Sequence, residues 1–403
     1  MPATKPVSDN DARRTPPVRV ALAALVCAVL GWALGFVSWA ILSLAYRAIE
    51  VVWRPILSGA VPASVALVVC TAGGAFMGWW NRRFDSAPES FADVMAHVRE
   101  NWSYKVEKPL AALGSFIMPL ALGGPVGPEA GLTGFIAAGC TRIGQVLARV
   151  RGGSAAGGSS SAAGAAPVFT RPQKFAVYGI GIAAGALGVA SFNMVVGGAG
   201  FPRFAIPEVT LEAVLWVVPL TLAGMALSWV FRRCVDASTR LSSRFGDREP
   251  LRAAVCGLVL ALVSLALPYV MFPGTEQVAE VLAGWGAMGS AALFATAVLK
   301  LALLALCLAM GWHGGPFFPL IFSAMCCGLA MAGVFGVDPA LSVIVVSSAL
   351  MARFTRKIGP ALGIMLICVP VPALAWTAVP LVAGAMLPTV EELRERRRAP
   401  RIA

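Results

Sequence analysis

One carboxylate, Glu129, stands in the stretch GGPVGPEAGLTGFIAAG (123–139), whose other residues are almost all small or apolar. An ionised side chain at bilayer depth costs about 2.5–3.5 kcal/mol on insertion scales, so such a residue marks a functional position. A second stretch, GWHGGPFFPLIFSAMCCG (311–328), repeats the skeleton with Phe317 in the glutamate's place. Gly127-Pro128 and Gly315-Pro316 each pair a flexible glycine with a proline. Proline suits a first helical turn because its missing N–H would be unpaired there anyway. The start of a helix presents free N–H groups and roughly half a positive charge. Two such starts converging in a dry interior make an anion site with no fixed cation, and a carboxylate beside them competes for the same donors.

The elements that hold these turns must be membrane helices. Of the 403 residues, 58% are hydrophobic and 13% charged, against about 25% charge in a soluble domain. Val20–Tyr46 and Pro55–Asn81 are charge-free runs of 27 residues, and about 20 span a bilayer. Further apolar runs, several short or broken by Gly and Pro, point to tilted or re-entrant pieces. The polar first 19 residues and the long run after them do not read as a cleavable secretion signal. The net charge of +12 collects at the ends of apolar runs: in the N-terminal tail, at 142–151, 231–252 and 391–401. By the positive-inside rule these face the cytoplasm, with both termini, in a multi-pass protein of the cell membrane. No aromatic-basic face accompanies the charge, so nucleic acid is not an expected partner. The nine cysteines lack CxxC spacing and read as small buried hydrophobes, and His97 and His313 are not spaced as metal ligands. No metal or cofactor is expected. With no nucleophile-base set beside the lone intramembrane carboxylate, the chain does not read as an enzyme.

Internal matches recur at nearly constant spacing. GFVSWAILSLAYRAIE (35–50) resembles MALSWVFRRCVDASTR (225–240), ESFADVMAHV (89–98) resembles EQVAEVLAGW (276–285), and LALGGPVGPEAGL (120–132) resembles LAMGWHGGPFFPL (308–320). The offsets are 190, 187 and 188. They divide the chain into a cytoplasmic tail at 1–19, a first membrane repeat at 20–205, a second at 206–389 and a basic tail at 390–403. The Gly/Ser/Ala-rich 151–168 reads as a flexible linker inside the first repeat. Related halves in membranes meet at a midplane site built from broken helices.

These motifs resemble those of the CLC family of chloride channels and chloride/proton antiporters. GPEAG (127–131) falls at the family's Gly-Lys/Arg-Glu-Gly-Pro, GPFFP (315–319) matches Gly-x-Phe-x-Pro, and FDSAPES (84–90) falls at Gly-Ser-Gly-Ile-Pro-Glu. ALMARFTRKIGPALGIML (349–366) resembles a later helix start of the family. The resemblance implies an all-α, inverted-repeat membrane fold with broken, tilted and re-entrant helices, transport of chloride or a related anion, protons as a possible second substrate, contact with lipid, and a homodimer. Carried over, Glu129 is the gating glutamate, with Gly127, Gly315, Phe317, Phe318 and Ser86 around the anion. Pro128, Gly131, Pro316 and Pro319 complete the helix starts. A second register would put Val126 at the gate; the 188 offset favours Glu129.

The departures are specific. Asp85 is the position-by-position match to the family's chloride-binding serine, and a carboxylate there would repel an anion, so Ser86 is preferred. Pro316 and Pro128 each remove an N–H. The tyrosines, at 46, 104, 178 and 269, leave no match for the family's late anion-binding tyrosine. No Asp or Glu lies between Phe192 and Pro207, where the family's antiporters carry a proton relay, and Glu208 comes only after it. On that ground the reading leans to a passive channel, with antiport or another inverted-repeat transporter as the alternatives.

Overall fold

A computed structural model describes residues 15–150, 169–196 and 203–388. The expected linker at 151–168, the basic tail and most of the N-terminal tail lie outside the described residues. Among those described there are α-helices and short 3₁₀ turns, and no strand. In the first half the helices are α1 (Pro17–Leu57), α2 (Val65–Phe84), α3 (Phe91–Asn101), α4 (Pro109–Ala121), α5 (Glu129–Val150) and α6 (Arg171–Val196). Then come α7 (Leu211–Ser243), α8 (Glu249–Ser264), α9 (Gln277–Met288) and α10 (Ser290–Ala309). The last are α11 (Phe317–Phe335), α12 (Pro339–Thr355), α13 (Ile358–Cys368) and α14 (Ala378–Met386). Five of them, α1, α6, α7, α10 and α11, are long and apolar enough to cross a membrane. The apolar stretch 301–335 is interrupted: α10 stops at Ala309 and α11 starts at Phe317.

The described residues pack as two compact units. One comprises 15–47, 88–113 and 130–196. Its core joins Ala23 and Cys27 of α1 with Leu147 of α5 and Phe169 and Val177. Helices α1 and α6 approach through glycines: a Cβ on Gly31 or Gly35 would meet the carbonyl of Gly181 or Gly185. Small residues four apart let membrane helices close to backbone contact. Trp32 Nε1 then donates to Ser191 Oγ at 3.1 Å, and Trp39 Nε1 to Asn193 Oδ1 at 2.6 Å.

The other unit comprises 48–87, 114–129 and 203–388. Here α2 lies on α8, with Gly74 against the Ala253 carbonyl and Gly257 against that of Cys70. Trp312, fully buried, donates from Nε1 to the Ala253 carbonyl at 3.0 Å. Helices α11 and α12 are buried on most of their surface, as their continuous apolar sequence requires.

The 188-residue offset recurs in the backbone of this unit. Gly123 (φ 88°) and Gly311 (φ 92°) both take the left-handed conformation just after α4 and α10. Such a conformation closes a helix most cheaply at glycine. Gly124 N donates to the Pro119 carbonyl at 2.8 Å, and Trp312 N to the Cys307 carbonyl at 2.9 Å. Both helices therefore end with the same six-residue cap.

Candidate functional site

The two glycine-proline turns meet directly. Gly127 N donates to Gly315 O at 2.6 Å, and Gly315 N donates to Gly127 O at 2.7 Å, an isolated antiparallel bridge. Helix α5 starts at Glu129 after Pro128, and α11 starts at Phe317 after Pro316 (φ −90°, ψ −14°). The Glu129 carboxylate does not turn back onto α5 alone. Its Oε1 accepts the Phe317 amide at 2.5 Å and the Phe318 amide at 3.3 Å, the first two N–H groups of α11. A hydrogen bond to a charged group contributes about 1.5–3 kcal/mol. The carboxylate thus occupies a position suited to a free anion.

The glycines make room rather than donate. Their amides are spent on each other, and a Cβ on Gly127 or Gly315 would fall on the Glu129 carboxyl group. What both glycines contribute beside the carboxylate is space. Val126 is buried and packs its Cβ beside Gly314, so it does not share the Phe317 and Phe318 amides. Gly131 is buried inside α5, and Pro319 is buried in the first turn of α11. The Phe317 ring stands edge-on to Phe354 at 6.1 Å. The Phe318 ring lines a narrow pocket with Gly274, Thr275, Ile321 and Phe322.

At 84–90 the backbone separates the two candidates. Asp85 ends α2 in the left-handed conformation (φ 46°) and is exposed, whereas Ser86 is buried. The Ser86 hydroxyl pairs with Ser115 Oγ at 2.8 Å; Ser115 donates to Asn81 Oδ1 at 2.9 Å, and Asn81 Nδ2 to the Gly311 carbonyl at 3.3 Å. Ser86 therefore belongs to a buried polar chain that ends on the turn leading to Gly315. Asn81 and Ser115 escaped the sequence reading because single polar residues in apolar runs carry no pattern of their own.

Lys300 escaped it too, although a lysine inside VLKLALLALC was a visible signal. It is fully buried on α10, and its Nζ donates to the carbonyls of Tyr269, Met271 and Phe272 at 2.8, 2.8 and 2.9 Å. The ammonium also lies 4.5 Å from the centre of the Phe322 ring, a favourable cation–π distance. Glu208, the displaced relay candidate, is exposed, and its amide donates to Asp338 Oδ2 at 3.1 Å.

A sequence profile described as "Voltage gated chloride channel" matches residues 73–387, most of the chain. The chain belongs to the voltage gated chloride channel family. Curated relatives include the "Putative ion-transport protein YfeO" of Salmonella newport and of Salmonella typhimurium, each 26% identical over 192 residues. That match covers 47% of this chain and 44% of the relative, so it spans less than half the relative's length. Two solved structures share the fold. A CLC-type fluoride/proton antiporter superposes with TM-score 0.65 at 17% identity, covering 93% of this chain and 97% of the other. A slow cyanobacterial Cl⁻/H⁺ antiporter superposes with TM-score 0.66 at 17% identity, covering 96% and 99%. This member of the voltage gated chloride channel family is thus an all-α, multi-pass membrane protein of CLC type.

Proposed function

We propose that this protein moves a small inorganic anion, chloride or fluoride, across the cell membrane, with Glu129 as the gate. The observation that carries the reading is the Glu129 carboxylate on the Phe317 and Phe318 amides. An anion arriving at those donors must displace it, and protonation of the carboxyl removes the negative charge that competes. Wild-type flux should therefore rise as pH falls. Glu129→Gln should raise flux at neutral pH by about tenfold to a hundredfold, the weight of a hydrogen bond to a charged group, and flatten its pH dependence. Equal, equally pH-dependent chloride flux from wild-type and Glu129→Gln proteoliposomes would remove Glu129 from the gate.

Passive conduction and proton-coupled exchange divide on different observations. The stretch from Phe192 to Pro207 lacks an acidic relay, which favours a channel. The two solved antiporters described above share the fold, which supports exchange at least as well. Recording internal pH during chloride or fluoride efflux separates them: efflux that drives protons uphill means antiport, and efflux without proton movement means a channel. The same proposal includes two membrane repeats dividing near residue 205, termini on the cytoplasmic side, and a homodimer.

A further inference from the structure

Away from Glu129, a basic side chain, Arg252, reaches the turn between α10 and α11, and that turn carries His313. Arg252 lies in the first turn of α8 and is half-buried, and its Nε is shut off from solvent with no hydrogen-bond partner among the described residues. His313 is half-buried, two residues after Gly311. Gly311 is held left-handed (φ 92°), and a Cβ there would be 3.5 Å from Arg252 Nη2. The nearest acidic residues in sequence, Asp247 and Glu249, make no ion pair with Arg252 among the described residues. A buried N–H such as the Arg252 Nε–H, left without an acceptor, costs free energy unless a ligand supplies one. Arginine's planar fork suits an anion approached from one side.

We propose that Arg252 and His313 form an anion-binding station on the 311–313 turn, filled by the transported halide before it reaches Glu129. This rests on the anion-transport reading above. The backbone from Gly311 to Phe317 spans at most about 22 Å, so the station and the α11 amides lie along one short segment. Asn81 binds the same Gly311 carbonyl, which ties the Ser86–Ser115–Asn81 chain to this turn. Residue 252 closes the basic segment 231–252, so the station serves the cytoplasmic mouth.

The direct test is bromide anomalous scattering from crystals of the full-length protein. A peak within hydrogen-bond distance of the Arg252 guanidinium in wild type, lost in Arg252→Gln, is expected. No peak there in wild type overturns the station. In proteoliposomes, Arg252→Gln should raise the half-saturating chloride concentration about tenfold with little change in maximal flux. His313→Gln should raise it less, and Arg252→Lys should fall between. A variant that lowers maximal flux while leaving half-saturation unchanged would show that Arg252 only supports the fold, and would also overturn the proposal. The bromide readout does not depend on gating. If Glu129→Gln leaves flux unaltered yet the peak persists, the gate fails and the station stands.

Discussion

The turns 123–129 and 311–317 share a skeleton, a helix cap and a pair of reciprocal hydrogen bonds, and differ in the residue just after the proline. One places a carboxylate there and the other a phenylalanine whose backbone amide donates to that carboxylate. The backbone alone builds a matched pair of helix starts, which could hold an anion but not regulate it. In the gate proposed above, a movable negative group on one side faces fixed N–H donors on the other, and the pair works as a switch. The difference extends to the neighbouring turns. The one before α3 is held by neutral groups, Ser86, Ser115 and Asn81, and the one before α9 by the Lys300 ammonium on three carbonyls.

The neighbouring turns give the widest separation. Lys300→Met leaves three buried carbonyls without their donor, each costing about 1–3 kcal/mol, so thermal unfolding in detergent should show upwards of about 3 kcal/mol lost. If that loss only equals the one from Ser115→Ala, the charged clamp is not what distinguishes the two turns. Next is Phe317→Pro. Proline is well tolerated at the first helical position, so the variant should fold, yet it deletes the 2.5 Å donor to Glu129. Anion affinity should fall by about 1.5–3 kcal/mol, read as chloride flux against concentration; an unchanged curve in folded protein means that this amide does not face the anion.

Gly315→Ala and Gly127→Ala test the space between the turns. Overpacking costs about 1–3 kcal/mol, and the new methyl expels the carboxylate, so both variants should show flux that varies less with pH than wild type. A pH profile identical to wild type in both would mean that the pocket can yield. Ser115→Ala is the mildest change, about 1 kcal/mol from the lost hydrogen bonds, measured by the same thermal unfolding.

The pairing of Glu129 with Phe317 was legible in the sequence because the repeat offset and the glycine-proline signals agree residue by residue. The division of labour between amides was not. Whether a glycine N–H is free or spent depends on a backbone bridge between residues 188 apart, which no local pattern encodes. That Asp85 is left-handed and exposed while Ser86 is buried was not legible either, because the sequence separated the two by charge alone. The helical membrane class came directly from apolar runs. Which runs pack together did not: 48–87 and 114–129, from the first half, join 203–388 in one unit, through glycine contacts that only a three-dimensional match between α2 and α8 can select.

The bond pair joining residues 127 and 315 acts as a rivet. In the proposed gate each backbone holds the other, so the carboxylate swings away without loosening the ends it leaves behind. Exchange of one occupant for another then needs only side-chain rotation, which is far quicker than the microsecond-to-millisecond shifting of whole helices. Turnover in such a design is set by how firmly the occupants are held, and the scaffold can stay still throughout.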